Sequence, residues 1–268
     1  MSPRNEAHLP DPAEVKAELA VLSAEVDAAD RSGPLDGSYA SLDRVEDYFG
    51  AAADNGGESL VRRVEWYVGT TLVESAHGVW TMSEDVGGRW RPHIGQLPEL
   101  GDYAFLPALV VNQFMRTRRQ RVLRDWTEVY DVPYRRQATD HLLAKAATEL
   151  AALQEDIREV TGKSVKLDLS MAKLDVVQEM LTQLVGGQAS RDRVRAVQER
   201  AMLQVGAVFK SKVKRATWKL CVEPENEAIG QLLLDDFAPL VVIRKISARN
   251  DRSFLREIVA EEIEARRS

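Results

Sequence analysis

The stretch Tyr67–Trp80, YVGTTLVESAHGVW, has a partner in Gln204–Trp218, QVGAVFKSKVKRATW. Each carries a helical apolar pattern through Val-Gly, crosses a short polar or basic turn and ends on tryptophan. A repeat of this kind governs the reading of the whole chain. Other anchors fall into line in the same order. Glu18-Leu19-Ala20 matches Glu149-Leu150-Ala151, and Leu42-Asp43 with Val45 matches Leu174-Asp175 with Val177. Phe105 and Pro107 match Phe237 and Pro239, and Leu123-Arg124 matches Leu255-Arg256. The offset is 131 or 132 residues at both ends and 137 or 138 in the middle. The sequence therefore predicts a tandem duplication.

Each copy reads as about three helices, a small antiparallel sheet and closing helices, which is an α+β unit. The boundaries expected are a flexible segment 1–11, a first repeat 12–134 and a second repeat 135–268. In the first copy Val15, Leu19, Leu22 and Val26 recur at helical spacing from Pro12 to Ala29. The matching helix is expected over Asp140 to Val160, with Asp140 as its N-cap. A second helix carries Leu42, Val45 and Phe49, or Leu174, Val177 and Leu181, and stops at glycines. A third carries Leu60, Val64 and Val68, or Val197, Ala201, Val205 and Val208, with Ser190 placed to cap the later one. Gly69 and Gly206 then fall inside helices, where glycine costs about 1 kcal/mol relative to alanine. Close approach of the following sheet is the physical reason to keep them. Strands are expected through Trp80, through Trp90 to Ile94, and in GDYAFLP; Pro107 and Pro239 mark helix starts.

The block Tyr67-Val68-Gly69 to His77-Gly78-Val79-Trp80, with the helix Leu42-Asp43-Arg44-Val45, resembles a group of uncharacterised bacterial α+β domains. In that group, of actinobacterial type, a helix ending in Tyr-x-Gly-Glu feeds a Gly-Gly-x-Trp hairpin, and some members are encoded near toxin–immunity or secretion loci. The resemblance covers about residues 38–125 and, more faintly, 170–260. It implies an α+β fold and a non-enzymatic role. Thr70 stands where the group often has glutamate, and Ala207 follows the second glycine, so any activity carried by that glutamate is not implied here.

The 268 residues are 44% hydrophobic and 29% charged, the balance of a globular chain. Residues 1–134 hold 13 basic and 22 acidic residues, whereas 135–268 hold 23 and 20. Cys221 is the only cysteine, which excludes an intramolecular disulfide and a cysteine-rich zinc site. The N-terminal residues lack a signal-peptide apolar core, and no apolar run reaches membrane-spanning length, so a cytoplasmic protein without membrane contact is expected.

No catalytic, metal or cofactor signature is present. Thr161-Gly162-Lys163-Ser164 has Ile157 where a phosphate loop needs glycine, and reads instead as a helix ending at Gly162. The histidines, His8, His77, His93 and His141, lack acidic partners at ligand spacing. Thirteen of the 17 aromatic residues lie in residues 1–134, including Trp66, Trp80, Trp90, Trp126 and all six tyrosines. A duplicated scaffold needs similar core volume in both copies, so the excess is either an aromatic core particular to the first copy or a protein-binding surface formed by Trp66, Tyr67, Arg89, Trp90, Arg91 and Tyr103. An immunity-like or adaptor protein is the leading expectation, with self-association open. The alternative is a nucleic-acid-associated regulator using Arg116, Arg118, Arg119, Arg121 and Arg124 with Lys210, Lys212, Lys214 and Arg215.

Overall fold

A computed structural model describes residues 9, 11–84, 90–118, 121–187, 189–246 and 252–266; side chains 53–56, 83, 84 and 90 are not described. The expected flexible segment 1–11 lies outside them except for Leu9 and Asp11. The fold is α+β, mostly helical with two small antiparallel sheets. The chain divides into two compact units, residues 1–135 with 222–224, and residues 136–221 with 225–268.

In the first unit, α1 (Pro12–Asp30) starts where the Ala13 amide donates to the Asp11 carboxylate at 2.7 Å. It buries Leu22 and Val26. Helix α2 (Ser41–Ala76) is two helical segments joined across Gly57, so the segment carrying Leu42, Val45 and Phe49 stops at the glycine pair as expected. There φ is 60° and ψ −169°, a conformation that only glycine adopts freely. Leu42, Val45, Phe49, Leu60, Val64, Val68 and Leu72 line its buried face. After His77 come β1 (Val79–Glu84) and β2 (Trp90–Gly95), with Trp80 opposite Ile94. The third strand expected in GDYAFLP is reduced to one bridge, Ile94 to Phe105. Proline limits it: Pro107 opens α3 (Pro107–Thr117) two residues later. Helices α4 (Val122–Glu128) and α5 (Val132–Ala144) follow.

Helix α5 corrects the expected cap at Asp140, which lies within it. Asp131 caps α5, accepting from the Tyr134 amide at 3.1 Å, and Pro133 fits its first turn, while the helix expected to run on to Val160 begins afresh at Ala146 with no side-chain cap.

In the second unit, α6 (Ala146–Thr161) ends at Gly162, whose φ of 71° satisfies a left-handed C-cap. The glycine of the TGKS stretch is therefore a helix stop, and Lys163 pairs with Glu179. Helices α7 (Ala172–Gly186) and α8 (Arg191–Lys212) carry the apolar rows that pack with α6. Ser190 caps α8 as expected. Strands β3 (Trp218–Leu220) and β4 (Leu232–Leu234) pair with Trp218 opposite Leu234, and α9 (Pro239–Arg244) and α10 (Phe254–Ala265) close the unit. Phe209 and Phe237 stack at 5.1 Å inside this core.

Both helical glycines meet a tryptophan. A Cβ on Gly69 would stand 2.2 Å from the Trp80 ring, and one on Gly206 2.1 Å from the Trp218 ring. The glycine cost is thus offset by ring packing that no side chain would permit.

Candidate binding surface

The residues nominated from sequence separate into interior and surface. Trp66 and Tyr67 are both buried, which corrects their nomination to an exposed protein-binding surface. Helix α2 is covered on more than one side. The Tyr67 hydroxyl shares a 2.5 Å hydrogen bond with Ser41 Oγ and accepts from the Gly37 amide at 3.2 Å. Trp66 is capped by the Arg62 guanidinium, 5.1 Å above its ring. Tyr103 is half-buried, stacked 5.2 Å from Tyr130 with their hydroxyls 3.1 Å apart. Arg91 is half-buried opposite Ser83 on β2; Arg89 and the Trp90 side chain lie outside the described residues. No exposed aromatic patch forms from Trp66, Tyr67 and Tyr103.

The first arginine cluster is also divided. Arg121 is buried beside Asp125, and its amide donates to Glu46, which also accepts from Leu123 N at 2.9 Å. This carboxylate satisfies the free amides opening α4 and suits the positive end of that helix. Arg124 bonds Asp43 at 2.8 Å and Glu128 at 3.3 Å, and Arg135 reaches Glu128 at 3.2 Å. Arg121 and Arg124 are engaged in holding the fold, a correction to their nomination as nucleic-acid contacts. Arg116 and Arg118 remain on the surface, Arg118 at the end of α3; Arg119 lies outside the described residues. Lys210, Lys212, Lys214 and Arg215 are all exposed.

The tryptophan that does face solvent is Trp126 on α4, 45% exposed. With it on the same unit stand Leu109 on α3, 60% exposed, and Tyr134 on α5, 38% exposed. Helix α4 buries Val122, Leu123, Thr127 and Glu128, so its opposite face carries Trp126 outward. Tyr134 is fixed by Tyr39, whose ring centroid is 5.1 Å away. Tyr39 in turn donates to Asp131 at 2.9 Å. Residues 132 further on are treated differently. Val241 is buried with Cys221, Ala228 and Leu233, Ile258 is half-buried, and Arg266 lies over the Phe209 ring. The sequence signal for Trp126 was its place in an otherwise charged run, Arg124-Asp125-Trp126-Thr127-Glu128.

Burial, reinforced by Asp131, raises the Tyr39 hydroxyl far above the phenol range, so it acts as a donor rather than a base. Burial raises the Glu65 carboxyl, partly countered by Arg91. Burial also lowers His93, whose Nε2 bonds Thr81 Oγ1 across the hairpin. Among the described residues no group of three or more His, Cys, Asp or Glu could hold a metal ion. Cys221 is buried and unbridged. Among the same residues no helix is long and apolar enough to cross a membrane. Comparison with protein-family models, curated proteins and solved structures returned no match.

Proposed function

We propose that this is a non-enzymatic protein-binding module, an immunity-like protein or adaptor of the cytoplasm, that docks its partner through the first unit. The observation that carries the reading is Trp126, held 45% exposed on a helix whose other face is fully engaged. Exposing an indole to water forfeits burial free energy of about 2 kcal/mol or more, and tryptophan and tyrosine lead the residues that anchor interfaces. Tyr134 and Leu109 extend the apolar surface that the first unit offers. The immunity-like assignment rests on the resemblance of residues 38–125.

The reading includes a tandem duplication, with the second copy freed to diverge. Four contacts recur at the expected offsets, and a fifth recurs with one partner, Ile94 against Leu234, at 140. Gly69 with Trp80 answers Gly206 with Trp218. Arg63, bound to Glu18 and Glu25, answers Arg200, bound to Glu149 and Asp156. Asp43 with Arg124 answers Asp175 with Arg256. Glu46 on the Leu123 amide answers Gln178 on the Leu255 amide. The bridge Ile94–Phe105 answers Leu234–Phe237. Independent origin would have to reproduce each pairing separately.

Affinity capture of the chain from its host, quantified against W126A/Y134A, tests the function. A partner retained by the native chain and lost by the variant, at unchanged melting temperature, is the expected result. Identical partner sets would overturn the reading. Sedimentation of both proteins separates a second copy of the chain from a different protein.

A further inference from the structure

Four cations crowd the end of α8 and the turn into β3: Lys210, Lys212, Lys214 and Arg215, within six residues. All four are exposed, and among the described residues none of their side chains has a hydrogen bond, ion pair or ring contact. Other exposed cations, such as Lys16 and Arg31, stand singly along the chain, whereas these four fall within six residues. Arg44, Arg63, Arg124, Arg193, Arg200, Lys219 and Arg256 all hold acidic partners. The nearby acids are occupied elsewhere: Asp236 pairs with Lys219, and Asp235 accepts from the Thr217 amide. The same stretch of the first unit, Val73 to His77, contains no lysine or arginine. Cations do favour a helix C-terminus, but that accounts for Lys210 and Lys212 only, since Lys214 and Arg215 lie beyond the helix.

We propose that this helix end binds the phosphate backbone of duplex DNA without sequence preference. The chemistry of the cluster separates nucleic acid from other anionic partners. Three of the four cations are lysines, flexible point charges suited to phosphate but not to forked pairing with carboxylates. The only apolar side chain in the segment, Val213, is half-buried. A protein interface would need an apolar anchor, and at an anionic lipid surface these charges would act with no inserted apolar residue to add to them. No aromatic residue is exposed between Lys210 and Arg215 for bases to stack on, which favours a duplex over a single strand. The wide major groove of B-form DNA admits a helix end, whereas the deep, narrow major groove of duplex RNA does not. This site is independent of the protein-binding reading and lies on the other unit.

Fluorescence anisotropy with a labelled 20-base-pair DNA duplex tests it on the full chain. Affinity is expected to fall with a log–log salt slope of about −3 to −4, near −0.9 per neutralised phosphate. K212A/K214A/R215A is expected to lose at least tenfold in affinity at low salt and to flatten the slope by about 2 to 3, on the same scale. K16A, an exposed cation of the first unit, is expected to bind as the native chain does. No native binding at low salt, or equal binding by the triple variant, overturns the proposal. So does tighter binding of duplex RNA, or displacement of DNA by polyglutamate at equal charge, which would mark an acidic protein as the ligand.

Discussion

The Trp80 ring occupies the space where a side chain on Gly69 would have to stand, 2.2 Å from the position of its Cβ. Pro107 stands 3.1 Å from the same point, so an added methyl is crowded from a second residue as well. Gly69→Ala is therefore expected to destabilise the chain by about 1–3 kcal/mol through overpacking, despite the better helix propensity of alanine. Gly206→Ala is expected to do the same against Trp218. Denaturant titration measures both. Recovery of stability in Gly69→Ala/Trp80→Leu would show that the clash, and not the helix, is responsible.

That contact was legible because a glycine within a helical pattern has few physical explanations, and a tryptophan at fixed distance after it supplies one. Helix starts at Pro107 and Pro239 were legible for the same local reason. Burial of Trp66 and Tyr67 was not. Which sides of α2 are covered depends on the segment 37–41 folding back onto the Tyr67 hydroxyl, and no periodicity within α2 encodes it. Trp126 was counted in the aromatic excess but not singled out, since exposure of one face of α4 follows from what packs on the other.

The arginine clamps left a signal that pattern reading could have used. Glu18 and Glu149 were already anchors at an offset of 131, and Arg63 and Arg200 share the offset of 137 with the two glycines. Charge pairs between helices carry no periodicity, so only the structure joins them. Arg63, with an 11% exposed side chain, reaches Glu18 at 3.6 Å and Glu25 at 2.8 Å. Arg63→Met is expected to cost about 1–2 kcal/mol, above the range for exposed pairs because the arginine is partly desolvated. Arg200→Met is expected to follow in the second unit. Thermal unfolding of the two variants at low and high salt checks this, with the difference from the native chain shrinking in high salt.

His93 should give the first unit a dependence on mildly acidic pH. Its imidazole is buried with Nδ1 lacking a hydrogen bond, and burial lowers its pKa below the ordinary 6.5. Between the two values the unfolded chain binds more protons than the folded one. Stability from this group is therefore complete above about pH 6.5 and is lost as pH falls toward the folded pKa. His93→Gln is expected to reduce that slope in denaturant midpoints measured between pH 7.5 and 5. An unchanged slope would show that the ring stays solvated in the folded hairpin.

Glu46 and Gln178 perform one task with different chemistry, and exchanging them separates charge from hydrogen bonding. Glu46 receives the Arg121 and Leu123 amides at the start of α4. Gln178 receives the Leu255 amide at 2.7 Å near the start of α10. Removing the side chain leaves buried donors without acceptors, so Glu46→Leu is expected to cost about 2–4 kcal/mol, the desolvation penalty of one to two orphaned amides. Glu46→Gln keeps one acceptor oxygen, as the second unit does, and loses the carboxylate at the helix N-terminus; it is expected to cost about 1 kcal/mol. The reverse change, Gln178→Glu, adds a favourable charge near the α10 N-terminus but removes an amide that Gln178 can donate from. Its effect is expected to be smaller than 1 kcal/mol in either direction, about the size of a helix-end charge effect. Equal losses from Glu46→Gln and Glu46→Leu, read by denaturant titration, would show that the carboxylate's charge rather than its acceptor geometry holds α4 in place.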